Sequence, residues 1–239
     1  MKFSEKSTIT MHNVDSKGCA KASSILERMQ DAANSQLHIY HPSNEELWAD
    51  HKAFILSRIC INYFEPLHAY DEVVAQTWAN PSHGYSFNRS LSLLKDGITV
   101  ANAQSLWALI DTDTHRLLKT DAVTLNFSTE EPLSGDFNLR TRIPEPDRLE
   151  LLGNYTVTYY DIDQNHHMNN TKYPDFICNF VDMTKRRMSR VSIAFLSEAP
   201  MGETLTAYGY WDNEAFYFRS VREDGKINID AEAKFDTNY

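Results

Sequence analysis

Cysteine is scarce and scattered in this chain: Cys19, Cys60 and Cys178 are odd in number, widely spaced and form no CxxC pair. That excludes a disulfide framework and a cysteine-rich zinc site, and all three thiols are expected reduced and mostly buried. Long apolar runs are missing as well. No uninterrupted stretch approaches the roughly 20 residues that span a bilayer, and the opening MKFSEKSTITMHNV has no apolar h-region, so the expected location is the cytoplasm, with no membrane partner. Positive charge is in deficit. With 23 Lys and Arg against 33 Asp and Glu the formal charge is −10, which argues against duplex nucleic acid as a partner. GxSxG, Walker and GxGxxG patterns are all lacking, so serine-hydrolase, nucleotide and dinucleotide readings have no support. What is present suffices for a real core: 239 residues, 42% hydrophobic, form one large domain or two of ordinary size.

Polar groups concentrate in one place. Asp161 to Asn170 read DIDQNHHMNN, with carboxylates, carboxamides and imidazoles crowded between a strand-like TVTYY and a helix-like TKYPDFICNFVDM. Each unpaired polar group removed from water costs roughly 1 to 3 kcal/mol, so this run must be used or satisfied. At a strand-to-helix junction, free backbone N–H groups and the positive helix end receive negative charge while a carboxylate or imidazole moves protons, which suits acyl transfer or hydrolysis. Pro174 belongs in the first helical turn, which makes Thr171 the expected N-cap and leaves Asn165, His167 and Asn169 in the loop before it. A substrate carbonyl aimed at the helix start then meets backbone N–H groups, with Asn165 or His167 adding a donor. Glu198, at the turn after SRVSIAFL, reads by itself as a turn residue in solvent, and its pairing with the polar run makes it the expected base for water. Asp163 orients His167 or Asn165, or shares the base role.

Metal readings fail on spacing. Asp161, Asp163 and Asn165 imitate a calcium loop, but His166 stands where glycine is needed and Lys172 where a bidentate glutamate is needed. The adjacent His166 and His167 cannot face one metal as helix partners do. No metal and no cofactor is expected.

The chain also repeats itself. SRICINYF from Ser57 parallels SRVSIAFL from Ser189, each followed by a turn and a second strand that ends near Trp78 or Tyr210, and FNRSLSLLKDG parallels FRSVREDG further on. Each set follows an acidic loop and a helix, so the unit is one helix of about four turns and then an antiparallel sheet curled around it. That is an α+β tandem hot-dog, two helix-wrapped antiparallel sheets forming a pseudo-dimer. The expected division is residues 1–140 and 141–239, at the stretch interrupted by Pro132, Gly135, Pro144 and Pro146. Anchoring Asp15 on Asp161 puts Lys17 opposite Asp163, Cys19 opposite Asn165 and Lys21 opposite His167, while Pro66 falls opposite Glu198. The first unit thus lacks the reactive set, and one site is expected, in the second.

These residues resemble the acyl-acyl-carrier-protein (acyl-ACP) thioesterases of plants and bacteria. The family motif DxDxNxHxNNxxY is matched by Asp161, Asp163, Asn165, His167, Asn169, Asn170 and Tyr173, and further landmarks by MQDAA at Met29–Ala33, Thr77 with Trp78, Trp107 with Asp111, Arg116, and RIPEP at Arg142–Pro146. The resemblance implies hydrolysis of the thioester of a fatty acyl chain on acyl carrier protein, ending chain elongation. It carries the catalytic set to Asp163, Asn165, His167 and Glu198, and substrate binding to Asn169 and Asn170. Where plant members have a cysteine beside the glutamate, this chain has Ala199, which removes a thiol nucleophile at that place. By analogy the first unit lines the acyl tunnel, with Met29, Ala32, Ala33, Leu37 and Trp107 as candidates against their ordinary reading as core. Lys185, Arg186, Arg187 and Arg190 in KRRMSR are expected either to dock the acidic carrier or to form a solvated helix end. Alternatives are an acyl-coenzyme A thioesterase and a non-catalytic acyl-binding sensor; a homodimer is compatible with the sequence.

Overall fold

Strand-period alternation is realised as antiparallel ladders in the computed structural model, which describes residues 2–237. The chain divides into two compact units. Unit 1 runs up to Ser57 and resumes over Tyr63–Phe137; unit 2 takes Arg58–Asn62 and the chain from Asn138 onward.

Unit 1 holds β1 (Phe3–Thr8), α1 (Ala22–Tyr40), α2 (Asn44–Ala49), β2 (Lys52–Tyr63, except Arg58–Asn62, which belong to unit 2), β3 (Glu72–Ala79), β4 (Phe87–Lys95), β5 (Ile98–Asp111) and the short β6 (Leu117–Leu118). Its strands lie in the order β1-β3-β4-β5-β2, with β6 on β5. Ile25, Leu26, Met29, Ala32, Ala33 and Leu37 recur at helical spacing and are buried, so one face of α1 packs on β1, β3 and β4.

Unit 2 holds β7 (Glu150–Thr156), α3 (Tyr173–Cys178), β8 (Arg186–Phe195), β9 (Thr204–Asp212), β10 (Ala215–Val221) and β11 (Ile227–Thr237), ordered β8-β11-β10-β9-β7. Residues Arg58–Asn62 of β2 pair with β8, from Arg58 opposite Ala194 to Asn62 opposite Arg190. Rings fill the space under α3: Phe176 meets Phe218 edge-on and Tyr173 meets Phe195. Each unit is therefore a helix laid across an antiparallel sheet, the hot-dog expected from the sequence.

The second helix is shorter than expected. After a 3-10 turn at Asn170–Lys172, α3 lasts six residues. Downstream, Asp182 binds the N–H and hydroxyl of Thr184, an Asx turn that competes with helical hydrogen bonding. The basic cluster is accordingly no helix end: Lys185 sits in a turn, and Arg186, Arg187 and Arg190 lie in β8. Among the described residues no helix is long and apolar enough to cross a membrane.

Candidate active site

Asp161 opens the polar run and is its most enclosed carboxylate, 4% exposed. Both of its oxygens are engaged. Oδ1 accepts the Tyr155 hydroxyl at 2.8 Å, while Oδ2 accepts the N–H and hydroxyl of Thr158 at 2.8 and 2.7 Å. Burial, and then the bond to Asp161, push the Tyr155 hydroxyl above the usual tyrosine range, so it stays a donor. Neither Tyr155 nor Thr158 was singled out from sequence, although a threonine three residues before an aspartate is a turn signal.

Beyond Asp161 the chain makes a small hairpin. Ile162 and Met168 face each other in a bridge, the Asp163 N–H reaches the His167 carbonyl at 3.1 Å, and His166 turns the corner at φ 63°. Asp163 and His167 are thereby set side by side, with Oδ1 4.0 Å from Nδ1. Glu198 arrives from the turn after β8. His167 bridges Pro200, and the Met168 N–H bonds the Ala199 carbonyl at 2.8 Å, so this turn lies against the hairpin. Glu198 Oε1 is then 3.8 Å from His167 Nε2. The imidazole is bracketed by two carboxylates at distances that a small rotation or one water closes. Their surroundings differ: the Asp163 side chain is 22% exposed and that of Glu198 is 71% exposed, so only the latter faces bulk water.

The remaining expected residues fare differently. Asn165 donates its backbone N–H to Asp163 Oδ1 at 2.9 Å and stands exposed at the hairpin tip. Asn169, not Thr171, is the N-cap: its Oδ1 takes the Thr171 N–H and hydroxyl at 2.9 and 2.8 Å, and its carbonyl takes the Lys172 N–H. Two N–H groups that the sequence offered to a substrate oxygen are thus already bonded. Asn170 begins the 3-10 turn. In unit 1, Met29, Ala32, Ala33 and Leu37 lie on the buried face of α1, and Trp107 donates to Ser105 at 2.9 Å. Arg187 is tied to Asp236 at 2.8 Å, Arg190 stands opposite Lys234, and Arg186 stacks on Trp211. Arg186 and Arg187 begin β8 and Arg190 lies midway along it, while Glu198 follows its end, so a strand length of about 30 Å parts Arg186 and Arg187 from Glu198. Among the described residues no group of three or more His, Cys, Asp or Glu side chains is placed to hold a metal ion.

Unit 1 contains the same loop without the chemistry, in a register two residues from the expected one. The Asp15 N–H bonds the Cys19 carbonyl as Asp163 bonds His167, and Asp15 Oδ1 takes the Lys17 N–H as Asp163 takes that of Asn165. Gly18 turns the corner at φ 77° where His166 does. The Ala20 N–H bonds the Leu67 carbonyl as Met168 bonds Ala199, and Asn13 takes the N–H and hydroxyl of Thr10 as Asp161 takes those of Thr158. Asp15 therefore corresponds to Asp163, Asn13 to Asp161 and Cys19 to His167. Sequence anchoring on the first aspartate slipped because Asn13 replaces it. Pro66 does fall opposite Glu198.

Comparison with known proteins bears on the fold and the family. None of the curated protein sequences matches. Among solved structures, an acyl-ACP thioesterase from Bacteroides thetaiotaomicron superposes with a TM-score of 0.89 at 19% identity over 98% of each chain. The 12:0-ACP thioesterase from Umbellularia californica superposes at 0.76 and 15% identity over 99% of this chain and 98% of that one. The model of the acyl-ACP thioesterase N-terminal domain matches residues 1–124, and that of the C-terminal domain matches residues 145–237. With both halves accounted for, the chain belongs to the acyl-ACP thioesterases, enzymes that hydrolyse the thioester joining a fatty acyl chain to acyl carrier protein.

Proposed function

We propose that this thioesterase works through His167, Glu198 and Asp163, in unit 2 alone. The observation that carries the reading is the bracketed imidazole, with Nε2 3.8 Å from Glu198 and Nδ1 4.0 Å from Asp163. Glu198, open to solvent, takes a proton from water as the water oxygen adds to the thioester carbonyl carbon. The carbon–sulfur bond then breaks, His167 delivers a proton to the departing sulfur, and the proton held by Glu198 passes to the imidazole, which restores both groups. One water is thus divided between the fatty acid and the carrier thiol. Asp163, held by the Asn165 N–H, orients the imidazole. Asn165 and His167 polarise the carbonyl. A thiol nucleophile beside the glutamate is excluded, since Ala199 occupies that place and is fully buried.

Unit 1, whose loop carries Lys17, Cys19 and Pro66 in place of the reactive residues, takes the acyl chain, with Met29, Ala33 and Trp107 as its candidate lining. Asn169 and Asn170 serve the substrate indirectly, by fixing the turn after the hairpin. Carrier docking at Lys185, Arg186, Arg187 and Arg190 is retained as a contact supported by charge alone.

A single turnover with enzyme in excess in isotopically labelled water tests the route. Label in the released fatty acid supports direct attack by water; unlabelled acid with label left in the protein overturns it. Replacing acyl-ACP by acyl-coenzyme A of equal chain length separates the alternatives: faster turnover of the coenzyme A substrate, or binding with no thiol released, contradicts this reading.

A further inference from the structure

Asn228 lies at a bulge in β11 and is fully buried. Its backbone carbonyl accepts the N–H groups of Leu196 and Ser197 at 2.9 and 3.2 Å, which fastens the turn that carries Glu198. The side chain does more. Nδ2 donates to the Ser197 carbonyl at 2.5 Å and to the Tyr173 hydroxyl at 3.0 Å, and Oδ1 accepts the Ser220 hydroxyl at 2.8 Å. Ser197 in turn donates its hydroxyl to the Ile227 carbonyl at 2.8 Å. One amide thus links the start of α3, the end of β10 and the residue immediately before Glu198.

Unit 1 supplies an internal control. At its matching bulge in β5 stands Val100, whose carbonyl accepts the N–H groups of Phe64 and Glu65 at 2.9 and 3.3 Å, the same clasp on the matching turn. Leu93 precedes that bulge where Ser220 does in unit 2, and Ile25 lies four residues past Lys21 where Tyr173 lies four past Asn169. Asparagine, serine and tyrosine in the unit with the bracketed imidazole are therefore valine, leucine and isoleucine in the unit without it. In unit 1 the same backbone clasp forms with valine at this position, so the clasp itself does not depend on the side-chain network. Burying these polar groups costs free energy that three apolar residues avoid.

We propose that Asn228, with Tyr173 and Ser220, is a positioning residue that holds the Ser197–Glu198 turn so that the Glu198 carboxylate stays on the His167 imidazole. This rests on Glu198 being the base, and it deepens that reading by naming what aims it. Asn228 touches no substrate. It acts by denying the turn the freedom to swing Glu198, the most exposed member of the site, out into solvent.

The test is Asn228→Val, the residue unit 1 uses, measured for melting temperature, kcat and KM with acyl-ACP in the wild type and in a Glu198→Gln background. The expected result is a folded protein whose kcat falls about tenfold or more with KM little changed, and no further loss when the substitution is added to Glu198→Gln. Wild-type kcat in Asn228→Val, with Glu198→Gln impaired, overturns the positioning role alone. Losses that multiply in the double variant also overturn it. Wild-type turnover in Glu198→Gln overturns instead the assignment of the base. Should Asn228→Val not fold, Tyr173→Phe and Ser220→Ala each remove one bond of the network and are read by the same comparison.

Discussion

Cys19 stands in unit 1 where His167 stands in unit 2, each with its carbonyl bonded by the aspartate four residues earlier and each at the foot of a left-handed corner. The two loops are one backbone design with two contents. A bond made in both loops serves folding, and a shared residue enters the chemistry only where it also faces the His167 imidazole, as Asp163 does and its counterpart Asp15, beside Cys19, does not.

Asp161 is on the common side, because Asn13 does its work in unit 1. Asp161→Asn keeps an oxygen for the Thr158 N–H and hydroxyl, and is expected to fold and to retain turnover within severalfold, whereas Asp163→Asn should lose about a hundredfold in kcat. Steady-state kinetics of the two variants decides. Loss of turnover in well-folded Asp161→Asn means its charge enters the reaction.

The three thiols are on the other side of the ledger from the mechanism. Cys60 is buried in β2, Cys178 ends α3, and Cys19 replaces the imidazole in the unit assigned no chemistry. Changing all three to alanine should leave most of the activity in the protein that folds. Complete loss in a well-folded triple variant restores a thiol nucleophile.

Much of this was legible beforehand. The motif from Asp161 to Tyr173 named the residues that converge, and strand alternation around Ser57 and Ser189 announced two similar sheets. Three things were hidden. The register between the loops rested on one aspartate, and its replacement by asparagine left no signal of which to align. The end of α3 at Cys178, followed by turns and by the Asx turn at Asp182, falls within a segment whose composition favours a longer helix. Arg186, Arg187 and Arg190 read as a helix tail because charge content does not distinguish a helix from a strand end.

Arg89 was also overlooked. It lies in β4 at 8% exposure and donates to Gln36 Oε1 and Thr77 Oγ1 at 2.6 and 2.9 Å; burial lowers its guanidinium to about 10. Arg89→Met removes its buried hydrogen bonds to Gln36 and Thr77 and should cost about 1 to 3 kcal/mol of stability. Because Arg89 and Gln36 share one of those bonds, the loss in the variant that adds Gln36→Met should fall short of the sum of the two single losses. Chemical denaturation of the single and double variants checks this; simple additivity of two losses contradicts it.

Acid sensitivity follows from Glu203. Arg222 grips its carboxylate at 3.2 and 3.1 Å and the Glu223 N–H adds a third bond, which holds its carboxyl below the usual glutamate range. A depressed carboxyl stabilises the fold above its unfolded pKa, and that contribution is lost as pH falls through the folded value. The melting temperature of the wild type should exceed that of Glu203→Gln at neutrality, and the gap should close as pH falls below the usual glutamate range. A gap that does not change with pH assigns the difference to packing.

The central claim is that Glu198 and His167 act on one reaction centre. The most direct measurement is kcat for acyl-ACP in Glu198→Gln, His167→Ala and the double variant, with folding confirmed by melting. Each single change is expected to lower kcat at least about a hundredfold, and the double variant should fall little below the worse single one. Wild-type-like kcat in either single variant, or losses that multiply in the double, contradicts the account.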